Sequence, residues 1–176
     1  RLSERRDELL ASLERYGWDG AWYLRAYDRD GDKIGASSNR ECRIDLRPQV
    51  WAVFCGLSKE RCQLAMERVW QLLYEPDAGL LKLFTPPFEE ENRPTFIPGN
   101  RENGDQSASA ACWAMGAYGR LGQSSHAWEL ALRLLPVYRG FDRQAADRYR
   151  AEPYVMAGDV SAHPSQLGRG GRTWYT

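Results

Sequence analysis

The sequence has no surplus of charge. Its 176 residues carry 24 Lys and Arg against 24 Asp and Glu, so no long-range attraction draws a polyanion and nucleic acid is not an expected partner. It has no apolar run near the roughly 20 residues that cross a bilayer. Its opening, RLSERRDELL, has no signal-peptide core, so no membrane contact is expected and the expected location is the cytoplasm. Metal-ligand spacing is missing too: Cys42, Cys55, Cys62 and Cys112 form no CxxC pair, and only 2 histidines are available to join them. Buried, reduced thiols are the simpler expectation. DRDGD at Asp28–Asp32 fails as a calcium loop, because counting from Asp28 puts glycine at the fourth place and Asn39 at the twelfth; a hairpin turn is expected there. No Gly-x-Ser-x-Gly elbow supports a triad around His126 or His163, and no Gly-Lys-Ser/Thr phosphate loop is present.

What the chain has in quantity is aromatic rings with a polar handle, 7 Trp and 9 Tyr, which line cores or stack on sugars and bases. Hydrophobic residues at 43% and charged residues at 27% are ordinary for a globular chain of one domain or part of one. Residues 1–16 predict the end of an amphipathic helix with Leu2, Leu9, Leu10 and Leu13 on one side. Pro48 suits the first turn of a helix running to about Cys55 and closed by Gly56. Ser58 suits the N-cap of the next, whose apolar residues fall at Cys62, Ala65, Met66, Val69, Leu72 and Leu73. Asp105 is expected to cap a fourth helix with Ala108, Ala111, Cys112, Met115 and Tyr118 on one face, ended by Gly119 or Gly122. Ser124 or Ser125 then opens a fifth with Ala127, Leu130, Ala131 and Leu134. Two αα-hairpins in series, joined by a proline-rich loop over residues 80–100, predict an all-α chain. Stacked hairpins with long loops collected at one end suit a helical toroid, and this length supplies only part of one.

Two polar stretches stand out. RENGDQ, Arg101–Gln106, is a turn that starts a helix or a set of sugar-binding groups: Arg101 and Glu102 offer a charged donor and acceptor, and Asn103 and Gln106 offer amides that do both. LGRGGRTWYT sets Gly168, Gly170 and Gly171 around Arg169 and Arg172, where exposed amides and guanidinium groups suit an anion, or a flexible loop. Glu89–Glu91 is most simply a solvated loop face.

Four stretches together carry a resemblance: WDGAWYLRAYDRDGDKIG, NRECRIDLRPQVWAV, TPPF with RENGDQ behind it, and EPYVMAGDVSAHPSQLGRGGRTWYT. In order and spacing they resemble the inverting phosphorylases of glycoside hydrolase family 94, the cellobiose and chitobiose phosphorylases, and most closely the phosphorylase-like C-terminal region of cyclic β-1,2-glucan synthases. The resemblance implies an (α/α)6 barrel with short β-hairpins and long loops at one end, of which residues 1–176 are the C-terminal part in a longer chain. It implies a transferase that cleaves a β-linked gluco-oligosaccharide with inorganic phosphate, giving an α-sugar 1-phosphate by inversion. It implies neither metal nor organic cofactor, and a homodimer. Carried over residue by residue, it implies sugar contacts from Arg101, Glu102, Asn103 and Gln106, and phosphate contacts from Thr176 and the position of Ser109. The family's general acid lies in an Asp-Trp-Asn-Asp stretch absent from this sequence, so this chain is expected to bind but not to catalyse alone.

The chain departs from the family where phosphate is handled. The family reads Arg-Glu-Asn-Gly-Gly-Gln followed by Tyr-Thr-His; here Asp105 replaces the second glycine and Ser109 the histidine. Losing an imidazolium and gaining a carboxylate both oppose a bound anion. The competing expectations are therefore a hydrolase or transglycosylase, or a non-catalytic carbohydrate-binding module on the same scaffold.

Overall fold

A computed structural model describes residues 1–89, 96–152 and 154–171; Thr176, Arg172, Glu90 and Glu91 lie outside the described residues. The chain is mainly helical, with short antiparallel strand pairs, and the described residues form no closed barrel. In order they are α1 (Leu2–Tyr16), β1 (Ala26–Tyr27), β2 (Lys33–Ile34), β3 (Ile44–Asp45), α2 (Leu46–Cys55), α3 (Lys59–Leu73), β4 (Tyr74–Glu75), β5 (Leu80–Leu81) and β6 (Phe84–Thr85). Then follow β7 (Gln106–Ser107), α4 (Ala108–Arg120), α5 (Ser124–Leu134), α6 (Pro136–Arg139), α7 (Arg143–Tyr149) and β8 (Asp159–Val160). No helix among the described residues is long and apolar enough to cross a membrane.

The two expected hairpins are present as α2–α3 and α4–α5, and α2 also packs along α4. Their boundaries follow local chemistry. Gly56 at φ 75 ends α2 in the left-handed region that glycine tolerates, and Ser58 caps α3 by accepting from the Arg61 amide. Ser124 opens α5 as expected. The helix before it corrects the cap assignment: α4 is preceded by β7, its N-cap is Ser107, and Asp105 stands before that strand. The strand pair with β8 takes over the entry, so the carboxylate is released from capping. At α2 the cap is Asp45, with Pro48 inside the first turn.

Alanines at 110, 114 and 117 let α4 approach α2 closely, and Val50, Met66, Val69, Leu73, Phe84 and Tyr118 fill the space between the helices. Truncating a residue such as Met66, which has no exposure, costs about 2–5 kcal/mol. The Tyr118 hydroxyl donates to the Met66 carbonyl at 2.9 Å, so the buried phenol is satisfied. A smaller cluster of Ala78, Leu80, Tyr149, Ala157 and Val160 supports β8. Arg139 braces it, donating to the carbonyls of Arg133, Ala78 and Gly79.

Helix α1 has no buried residue, and Leu2, Leu9 and Leu13 of its stripe are exposed. It is held instead through Glu14, which accepts from the Ser58 amide and Tyr23 hydroxyl and pairs with Arg61 at 2.6 Å. The cysteines correct one expectation: all four are free, Cys42 and Cys62 buried, but Cys112 is partly exposed and Cys55 exposed. The DRDGD turn joins β1 and β2, and Asp28 Oδ1 accepts from the amides of Asp30 and Asp32, so that carboxylate serves the turn.

Candidate active site

The RENGDQ segment is a tight turn closed by its own backbone. The Asn103 amide donates to the Asn100 carbonyl, the Asp105 amide to Arg101, and the Gly99 amide to Asn103. Arg101 sits at φ 50 and Gly104 at φ 98. A left-handed arginine is strained, and such strain persists where surrounding structure over-determines it, often at ligand sites. Its guanidinium lies over the Phe96 ring, 4.9 Å from the centroid.

The four expected sugar contacts split into two pairs. Arg101 and Glu102 are exposed at the turn's tip. Asn103 and Gln106, each 2% exposed, turn inward. Asn103 Nδ2 donates to the carbonyls of Phe88 and Phe96 and its Oδ1 accepts from the Phe88 amide, at 2.9, 3.0 and 2.9 Å. Gln106 Oε1 accepts from the Leu81 amide at 2.7 Å while its backbone pairs with Val160. These two amides staple the turn to β5 and the loop after β6.

The staples hold Arg101 and Glu102 at the rim of a cavity of about 350 Å³, within the range of small-molecule sites. Its floor is the N-terminal end of α4 with Ser107, Ser109 and Trp113; α2 contributes Arg47, and Asp105 and Asp159 close the sides. An α-helix N-terminus carries partial positive charge, favourable to electron-rich groups. A second cavity, about 540 Å³, shares Arg101 and Asp159 with the first and adds Asn100, Ser161 and Arg169. The anion nest expected around Arg169 is corrected in part: the Gly168, Gly170 and Gly171 amides donate to Ser161, Tyr149 and Asp159 carbonyls, so those donors are consumed inside the chain. The Arg169 side chain lines the cavity. A larger cavity, about 610 Å³, lies beside the β1–β2 hairpin and shares no residue with these two.

Several lining residues were not singled out by sequence reasoning. Arg47 is fixed by the fully buried Asp45, to which it donates from Nε at 3.1 Å and Nη2 at 2.7 Å, while Arg25 approaches the same carboxylate at 3.4 Å. Hydrogen bonding to Asp45 raises the Arg47 pKa above its usual value. Gln49 completes this latch, bonding both backbone groups of Tyr23 and the Asp45 carbonyl. The available signal was Asp45-x-Arg47 straddling a helix start. Asp159 is 8% exposed on β8, opposite Ser107. No group of three or more His, Cys, Asp or Glu able to hold a metal occurs among the described residues.

A cavity with a charged donor–acceptor pair at its rim and hydroxyls and an indole on its floor suits a sugar. Comparison with known proteins decides the family. Residues 1–176 match the glycosyl hydrolase 94 superfamily, catalytic domain. The chain belongs to this family. Cyclic beta-(1,2)-glucan synthase NdvB of Rhizobium meliloti (strain 1021) is 41% identical over 182 residues, 99% of this chain and 6% of that protein. Solabiose phosphorylase of Paenibacillus borealis is 33% identical over 80% of this chain and 18% of its own length. N,N'-diacetylchitobiose phosphorylase of Vibrio furnissii is 31% identical over 94% of this chain and 21% of its own. This family-94 chain thus spans about a fifth or less of the length of these relatives.

Proposed function

We propose that this chain forms the nucleophile side of a β-glucoside phosphorylase site within a closed (α/α)6 catalytic domain. The donor is a β-linked gluco-oligosaccharide whose non-reducing-end glucosyl unit occupies the cavity of about 350 Å³. Arg101 and Glu102 bond vicinal hydroxyls, Trp113 lies against the ring face, and Asn103 and Gln106 act as positioning residues. The observation that carries this reading is the strained Arg101 beside Glu102, held over that cavity by two buried amide staples.

Inorganic phosphate is the co-substrate, and the phosphorylase relatives support that choice. It attacks the anomeric carbon with inversion, contacted from this chain by Ser109 and Thr176, with the Arg101–Arg169 cavity as its approach. Phosphate replaces the activated water of an inverting hydrolase, so that step needs no protein base. A carboxylic acid outside this chain protonates the leaving oxygen, so the isolated chain binds without turnover. No metal or organic cofactor enters this scheme. The four free thiols suit a reducing compartment, and the reaction is placed in the cytoplasm, in a homodimer.

The test uses the full natural chain that carries these residues, incubated with β-1,2-glucooligosaccharides or cellobiose with and without phosphate. Phosphate-dependent α-glucose 1-phosphate is the expected product. Its absence with both substrates, in a protein that binds them, refutes the phosphorylase assignment.

A further inference from the structure

We propose that Arg47 is a substrate contact that sets specificity: the guanidinium edge turned away from Asp45 donates to two neighbouring hydroxyl oxygens of the glucosyl unit in the cavity of about 350 Å³. The proposal rests on the sugar-binding reading above and adds to the RENGDQ turn a donor carried by α2.

Local chemistry fixes this side chain. Asp45 caps α2, and its Oδ1 accepts from the Arg47 amide at 2.9 Å and from Arg47 Nε at 3.1 Å, while Oδ2 accepts from Nη2 at 2.7 Å. One fully buried carboxylate therefore holds both the backbone and the head of Arg47. Gln49, itself fully buried, ties this anchor to the Tyr23 backbone. A guanidinium carries five N–H groups in a rigid fork. Nε–H and one Nη2–H lie along one edge and are spent on Asp45. The two on Nη1 and the second on Nη2 remain, and no described residue accepts from them. The Arg47 side chain is 36% exposed although that of Asp45 is 0% exposed, so its open part lies away from the carboxylate. Arg25, the other arginine at Asp45, is engaged elsewhere: its Nη1 donates to Cys42 Sγ at 3.6 Å and its guanidinium lies 5.4 Å from the centroid of the buried Phe84 ring.

The surroundings match a pyranose. Trp51 follows Arg47 by one helical turn, on the same face of α2. Its ring meets that of Trp113 on the cavity floor, with centroids 5.6 Å apart at 60°. Both indoles are exposed, by 48% and 40%. A β-glucosyl ring laid on an indole sends its equatorial hydroxyls outward in the plane of the ring, toward groups beside the stack. Two adjacent hydroxyl oxygens then meet two parallel N–H groups of one guanidinium edge, the fork by which arginine grips paired oxygens. Such an edge only donates, so a ring that lacks either oxygen leaves a donor unmet.

The experiment uses the full natural chain and calorimetric binding, in phosphate-free buffer, of a β-1,2-linked glucose disaccharide and of analogues that each lack one hydroxyl of the non-reducing unit. In the wild type, loss of either of two adjacent hydroxyls is expected to weaken binding about ten- to a hundredfold, as for a hydrogen bond to a charged group. Arg47→Lys keeps a cation beside Asp45 but gives up the planar fork, and in it those two penalties are expected to vanish while any at other hydroxyls persist. The double variant Asp45→Asn/Arg47→Met removes anchor and donors together, leaves no buried charge unpaired, and is expected to behave alike. A merely structural role would weaken every analogue by one factor and leave the penalties as they are. Penalties unchanged in both variants, or a wild type in which no two adjacent hydroxyls matter, overturn the inference; phosphate-dependent α-glucose 1-phosphate from the same protein then leaves the phosphorylase assignment standing. Arg47-dependent penalties without any sugar phosphate support the inference and overturn phosphorolysis. A folded wild type that binds none of these sugars overturns both the inference and the sugar-binding reading.

Discussion

Replacing Asn103 by alanine separates a sugar ligand from a structural staple. The side chain makes three hydrogen bonds to part-buried backbone groups, two as donor and one as acceptor. At about 1 kcal/mol net for each, the loss is about 3 kcal/mol. For a chain of this size that corresponds to a fall of roughly 6–12 °C in Tm. The assay is thermal and urea unfolding of the 176-residue chain, paired with sugar binding by calorimetry on the full natural chain. Asn103→Asp sharpens the test. It keeps the oxygen that receives the Phe88 amide but turns a second oxygen toward the carbonyls of Phe88 and Phe96, so its cost should match or exceed that of alanine and shrink on acidification, when a proton restores one donor. Sugar affinity falls in both variants because the turn carrying Arg101 and Glu102 loosens. An Asn103→Ala protein with unchanged unfolding but abolished sugar binding would refute the staple and make Asn103 a direct ligand.

Three further outcomes follow from named contacts. His126 packs against Trp70 and Tyr118 at 4.1 and 5.2 Å between ring centroids, and burial lowers its pKa below the usual 6.5. The unfolded chain therefore binds this proton first, so the stability contribution is complete above about pH 6.5 and is lost as pH falls below that toward the lower folded value. Urea midpoints across this window should decline less in His126→Phe than in the wild type. Gly99 sits at φ +78 with His163 backbone nitrogen 2.6 Å from where a Cβ would stand, so Gly99→Ala should cost at least about 2 kcal/mol in urea unfolding. Ser109→His places an imidazole on the first turn of α4 beside the cavity; about 1.5 kcal/mol for one bond to a charged group lowers the phosphate KM about tenfold. An unchanged KM would remove Ser109 from the phosphate contacts.

Much of the scaffold was legible because its signals are local. Helical spacing of Cys62, Ala65, Met66 and Val69 needs nothing beyond α3 to be read, and Gly56 and Ser58 mark their ends by conformations and hydrogen bonds confined to a few residues. Asp105 failed as a cap for the converse reason. An aspartate three residues before an apolar run is a fair N-cap by composition, but β7 pairs with β8, more than fifty residues away, and that pairing moves the helix start to Ala108. The same distance hid Asp159 and Arg47, which enter the cavity only after β8 and α2 are brought beside α4.

The division within RENGDQ carries the same lesson one level deeper. Every side chain in it apart from Gly104 is polar, and nothing in their order says which face the ligand. The structure sorts them by backbone geometry: Gly104 in a left-handed conformation turns the chain so that Asn103 and Gln106 point into the protein, while the strained Arg101 and Glu102 stay outside. Burial then fixes the chemistry of each pair. An inward amide has to satisfy backbone groups that would otherwise lie unpaired away from water, leaving little of it for a sugar. The inward pair is spent on the backbone and the outward pair stands at the cavity rim, so a mutation in the staples should show itself in unfolding, and one at the tip in affinity with unfolding unchanged.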